Sequence, residues 1–218
     1  MISSINMSNE AASLALAKNL SDKEISNFST LLKKANDELD QNVSAREVLL
    51  GMSNDEMALL QKARGLADPI NHNSISREGA INLLTHHDRN GTVDLNNDGF
   101  IEIGASKIAT FPPVNAPNSV RVAWEKATED MAFGDKMIMQ LHMHEAVYGT
   151  HINGVPTREV RSQEDQWSPT GIKQLFEELN TKLDLAVSRN GWSNINLERK
   201  DFYKKFEKIL NQKNNHFV

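Results

Sequence analysis

Three serines constrain the first third of this chain more than any other feature. Ser21-Asp22-Lys23-Glu24, Ser44-Ala45-Arg46-Glu47 and Ser53-Asn54-Asp55-Glu56 each place a serine three residues before a glutamate. In that spacing the serine oxygen accepts from the backbone N–H three residues on. The glutamate carboxylate reaches back to the serine N–H, and both orphan donors of a helix start are satisfied. Three such starts between residues 21 and 53 demand helices joined by tight turns. Ile25, Phe28, Leu32, Ala35 and Leu39 recur at helical spacing behind the first serine, and Met57, Leu60 and Ala63 behind the third, with Gly65 near the end. A weaker helix is expected over 8–19. Another begins at Ser76, with Ala80, Ile81, Leu83 and Leu84 as its apolar stripe.

The middle of the chain breaks this pattern. His86-His87-Asp88-Arg89-Asn90-Gly91 is turn chemistry, and Phe111-Pro112-Pro113-Val114-Asn115-Ala116-Pro117 excludes helix because each proline restricts itself and its predecessor. From Ser119 the spacing predicts one helix of nearly thirty residues, with Trp124, Ala127, Met131, Gly134, Ile138, Leu141 and Tyr148 as its seam and Gly149 as its C-cap. Residues 150–167 read as irregular, with a tight turn at Asn153-Gly154. Ser168-Pro169 starts the next helix with a cap and an N1 proline; Ile172, Leu175, Phe176, Leu179, Leu183 and Ala186 form its apolar face, and Asn190-Gly191 stops it. A last helix over 197–212 buries Phe202, Phe206, Ile209 and Leu210. The fold class is therefore mostly α: a helical region over 1–110, a proline-rich connection over 111–118 and a helical region over 119–218, separate or continuous with the first.

Composition narrows the function. The 218 residues contain no cysteine, which excludes disulfide scaffolds, thiol nucleophiles, iron–sulfur clusters and thiolate zinc sites. No apolar run approaches a membrane span, and a net charge of −5 argues against nucleic acid as a partner. The first residues lack the basic and apolar regions of a signal peptide, so the cytoplasm is the default expectation, with signal-independent secretion left open. A protein partner is compatible with this composition. Residues 88–105 hold Asp88, Asp94, Asp98 and Glu102 against Arg89, so that one stretch carries −3 of the net charge.

Within it, Asp94-Leu95-Asn96-Asn97-Asp98-Gly99-Phe100-Ile101-Glu102 resembles the calcium-binding loop of the EF-hand family. Oxygens on alternate residues can converge on a hard cation while a glycine at the sixth position turns the backbone. The resemblance implies Ca²⁺ as cofactor, with Asp94, Asn96 and Asp98 as side-chain ligands, Phe100 through its carbonyl and Glu102 through water. It also implies that Ile101 enters a short strand shared with a second loop. The sequence departs from the family at the twelfth position, where Ala105 replaces the bidentate glutamate, and before the loop, where Asn90-Gly91-Thr92-Val93 is no helix. A carboxylate such as Asp88 or Glu102 would then complete the shell. A degenerate copy counted from Asp68 lacks the ligands, with Ile70, His72, Asn73 and Gly79 at key positions. It offers a non-binding partner loop, pairing Ile75 with Ile101 across a very short two-stranded ladder. The bland alternative for 94–102 is a surface turn held by Asx hydrogen bonds.

Other clusters carry less. His142 and Glu145 share a helix face and offer two metal ligands, the basis of an alternative reading as a metal-dependent enzyme. A His-x-His step, however, splays His142 and His144 about 200° apart, and no second copy of the pair occurs. Met131, Met137, Met139 and Met143 suit either a groove or a core. Glu164-Asp165 near Trp167 reads as a hydrated loop before a catalytic pair, and Lys200, Lys204, Lys205 and Lys208 as a solvated face. The leading expectation is a calcium-binding helical protein, structural or regulatory, without evident catalysis. A helical adaptor with an empty loop is the third reading.

Overall fold

A computed structural model describes residues 19–85, 92–152, 155–157 and 161–214. The expected helix over 8–19, the turn chemistry of 86–91 with Asp88, and the Asn153-Gly154 turn fall wholly or almost wholly outside them. The described chain is mostly helical. In order it forms α1 (Asp22–Asp40), α2 (Ala45–Leu50), α3 (Asn54–Arg64), α4 (Arg77–Leu84), β1 (Phe100–Ile103), β2 (Ser106–Ala109), α5 (Asn118–Ala127), α6 (Phe133–Tyr148), β3 (His151–Ile152), β4 (Val155–Pro156), α7 (Gln163–Trp167), α8 (Pro169–Asn190) and α9 (Asn194–Asn214). It divides into two compact units: residues up to Leu95 with Phe100–Ile108, and Asn96–Gly99 with Ala109 onward.

All three capping boxes form. Ser21, Ser44 and Ser53 accept from the N–H of Glu24, Glu47 and Glu56, and each glutamate accepts from its serine N–H at 2.8–3.0 Å. Gly65 closes α3 in the left-handed region at φ 66°, where a side chain would be strained. The first unit packs an aliphatic core of Leu31, Leu32, Val48, Leu49, Leu60, Leu83 and Leu84, with Phe28 as its aromatic member.

The second unit is built on aromatic rings. Trp124 meets Phe111, Phe202 and Phe206 edge to face, and Phe111 meets Phe206 likewise, at 5.0–6.1 Å, pairing ring edges with ring faces, while Phe202 and Phe206 stack at 5.9 Å. The proline-rich stretch contributes to this core rather than merely leading to it, since Phe111 and Ala116 are both buried there. Helices α8 and α9 bear out the sequence expectation closely: Ser168 caps α8 with Pro169 in its first turn, and Gly191 ends it.

Three expectations are corrected. The single helix from Ser119 is two, broken after Ala127. Thr128 closes α5, with its N–H and its hydroxyl both donating to the Trp124 carbonyl. This local competition of a threonine side chain with the helix ladder is a known route to a helix end. The break shifts the helical phase, so that Ile138 and Leu141 of the expected seam are exposed while Met139, Met143 and Ala146 are buried. Residues 150–167 are not irregular throughout: His151–Ile152 pairs antiparallel with Val155–Pro156, and Ser162 caps α7 by accepting from the Asp165 N–H. Finally, β1 pairs with its sequence neighbour β2, so the strand containing Ile101 forms a hairpin rather than the expected ladder with Ile75. A hairpin closes over the two-residue turn Gly104-Ala105, whereas the Ile75 pairing would have had to close a much longer stretch.

Candidate metal centre

Helix α4 organises the segment that carries the candidate loop. Ser76 caps it, and two residues on, within the first turn, Glu78 is buried with its carboxylate divided between two backbone donors: Leu95 N at 2.8 Å and Glu102 N at 2.9 Å. One side chain thus ties down a residue at each end of the candidate loop. Asn82, fully buried, does the complementary work. Its Nδ2 donates to the carbonyls of Val93 and Glu102, and its Oδ1 accepts from Val93 N, all at 2.8 Å. The hairpin turn comes so close that Gly104 N donates to Gly79 O, and a Cβ at Gly79 would lie 2.2 Å from Gly104 O. Sequence reading missed Glu78 and Asn82. Their i, i+4 spacing alongside Ala80, Leu83 and Leu84 was the available signal, since polar groups on an apolar stripe must find partners.

The residues of the loop fall as follows. Asp94 is buried at 6% exposure. Asn96 and Asp98 form an Asx turn, in which Asn96 Oδ1 accepts from Asp98 N at 3.1 Å and Asn96 Nδ2 donates to Asp98 Oδ2 at 3.0 Å. Asn97 is left-handed at φ 55°; its amide donates to Arg161 O, and its Oδ1 accepts from Asn115 Nδ2. Gly99 is also left-handed, at φ 78°, and a Cβ there would lie 2.1 Å from the Tyr148 ring. Glycine is therefore required at Gly99 twice over, by its conformation and by the ring beside it. Phe100 opens β1.

Glu102 is buried and engaged elsewhere than with the loop: Ser76 Oγ donates to its carboxylate, and Lys107 pairs with it at 2.5 Å. Burial pushes its carboxyl up, but the hydrogen bonds from Lys107 and Ser76 and the Lys107 charge hold it below the usual range. In the degenerate upstream copy, the carbonyls of His72, Asn73 and Ile75 accept from the Arg46 guanidinium at 2.9–3.4 Å. A side-chain cation already serves those oxygens.

The His142–Glu145 pair sits on α6, with His142 partly exposed and His144 buried against the Tyr148 ring at 5.0 Å. Its neighbours are cations, Arg199 and Lys182, which repel a metal. Among the described residues no three His, Asp or Glu side chains come together as a metal cage. Met139 and Met143 are core, whereas Met137 is exposed. Asp165 belongs to the α7 cap, taking a hydrogen bond from Ser162 Oγ at 2.6 Å. No known protein family, curated protein or solved structure matches this chain.

Proposed function

We propose that the chain is a calcium-binding helical protein whose Asp94–Glu102 loop holds Ca²⁺ in a structural role, without catalysis. The observation that carries the reading is the conformation of Asn96–Gly99. Asn97 and Gly99 are both left-handed, and the Asx turn joins Asn96 to Asp98. A backbone wound in this way is compatible with a loop whose alternate residues offer oxygens to a cation. The buried carboxylate of Asp94 and the local charge of −3 also favour a cation. Asp94, Asn96 and Asp98 would supply side-chain oxygens, Phe100 its carbonyl, and Glu102 a water-mediated contact that competes with Lys107. Bound Ca²⁺ would supply charge neutralisation for the loop. A structural role is preferred to a regulatory one because Ala105 stands where the family's exit-helix glutamate would couple binding to movement, and because Glu78 already fixes both ends of the loop.

The test is calorimetric titration of Ca²⁺ and Mg²⁺ into chelator-treated full-length protein, beside the double variant Asp94→Ala/Asp98→Ala. One saturable Ca²⁺ site, lost in the variant, is expected. At a free concentration a hundredfold above Kd it would add about 2.7 kcal/mol of stability. Absence of binding, or binding unchanged in the variant, overturns the reading and leaves the helical adaptor.

A further inference from the structure

A cavity of about 350 Å³ opens in the second unit between the link from α5 to α6, the start of α6 and one face of α9. Its floor is apolar: Ala127, Met139 and Phe202 are buried, and Met131 packs against the same core. Its walls are acidic. The link contributes Asp130, the first turn of α6 contributes Asp135, and α9 contributes Glu198 and Asp201. On α9 the spacing Glu198, Asp201, Phe202, Lys205 keeps acids, floor and a single base on one helical face.

That base does not neutralise the walls. Lys205 Nζ lies 3.6 Å from Asp130 Oδ2, and both side chains are exposed, so the pair is weak and serves one acid only. The carboxylates of Asp135, Glu198 and Asp201 have no hydrogen bond or ion pair among the described residues. A cleft of one sign over a low-dielectric floor concentrates the field and draws cations in. A compact metal ion does not match it, since among the described residues no three acidic or histidine side chains converge as a cage. Nor has a hydrated ion any use for the apolar floor. An extended cation matches both features: its ammonium groups reach separate carboxylates, while the methylenes between them cover Met131, Met139 and Phe202 as a lysine stem covers apolar surface.

We propose that this cavity binds an aliphatic polyamine. Glu198 and Asp201 hold one ammonium group and Asp135 another, and Asp130 is shared between the ligand and Lys205. The floor sets the length of chain that fits, which discriminates against ammonium ion and simple metal cations. The site is independent of the Asp94 loop.

The experiment is NMR titration of the full-length protein labelled at its methionine methyl groups, following Met131 and Met139 in the floor. Spermidine is added in one arm, butylamine in a second and magnesium chloride at matched ionic strength in a third. A saturable shift of both methyls with spermidine is expected, with butylamine binding more weakly and magnesium leaving them in place. Glu198→Gln/Asp201→Asn should weaken spermidine at least about tenfold, or about 1.4 kcal/mol. Lys205→Gln, which frees Asp130, should tighten it about two- to fivefold, the worth of an exposed ion pair. Thermal melts establish that each variant is folded. Methyl shifts that magnesium reproduces, butylamine binding as tightly as spermidine, unchanged affinity in folded Glu198→Gln/Asp201→Asn, or weaker binding in folded Lys205→Gln overturns the proposal.

Discussion

The two units solve the same problem with different chemistry. In the second, α8 and α9 run to 22 and 21 residues and satisfy most of their backbone internally, so the side chains between them are free to be apolar. Phe176, Phe202 and Phe206 fill that space. In the first unit, α2 and α4 have only 6 and 8 residues, and Val93–Leu95 and Phe100–Ile108 are loop and hairpin. Short helices and turns leave a large share of N–H and C=O groups without helical partners. Polar side chains take up that work. Glu78 and Asn82 hold the loop, Arg46 the 72–75 turn, and the buried Arg64 donates to the carbonyls of Leu83 and Thr85 at the end of α4. Arg64 also lies 5.5 Å from the centre of the Phe28 ring, and burial lowers its pKa to about 10. Irregular backbone thus calls for buried polar side chains to hold it, whereas the space between the two long helices is filled by aromatic rings.

Substitutions can break that contrast. The largest effect is expected for Phe206→Ala in the aromatic core, at about 3–5 kcal/mol. Denaturant melts should show a shift of that size, and one below about 1 kcal/mol would mean that the ring cluster is not the main support of the second unit. Glu78→Leu comes next. It keeps the site apolar but strands the N–H groups of Leu95 and Glu102, at about 1–3 kcal/mol for each. Hydrogen exchange should show those two amides losing protection; unaltered protection would show that another acceptor serves them.

Ser44→Ala, which removes the cap of the shortest helix of the first unit, should cost about 1 kcal/mol by chemical denaturation. The smallest effect is acid sensitivity. The side-chain hydrogen bond from Lys62, with the backbone and hydroxyl donors of Ser21, lowers the Glu24 carboxyl to about 2; the Ser44 donors lower Glu47 and the Ser53 donors lower Glu56. A folded pKa below the unfolded one contributes stability that is complete above the unfolded value and is lost as pH falls through the folded value. Helical signal of the first unit should therefore erode from the ordinary carboxylate range down toward pH 2, and Ser21→Ala should move the onset of that erosion. A profile identical in the variant would show that the caps do not set the acid limb.

Much of the helical framework was legible because its signals are local. A capping box needs four consecutive residues, and the Ser168-Pro169 start and the Gly65, Gly149 and Gly191 stops need fewer still. The break at Thr128 was not legible, because Trp124, Ala127 and Met131 run on at helical spacing as though the helix continued. The β1–β2 pairing was missed for a different reason: the resemblance of 94–102 to an EF-hand loop suggested a partner at Ile75, while the turn at Gly104-Ala105 lay beside the strand. At the candidate loop, Asp94, Asn96, Asp98 and Gly99 were readable as a spacing, yet Glu78 and Asn82 were not, since nothing in their own neighbourhood says what they bind.

The sequence by itself determined the capped starts of α1–α4 and α8 and which residues are spaced to offer oxygens to a cation, because those properties depend on neighbours within about one turn. Tertiary structure alone decided that one buried carboxylate of α4 ties both ends of the loop and that Glu102 turns to Ser76 and Lys107. Each of those outcomes depends on which distant groups burial leaves without water, and that is settled only when the chain has packed.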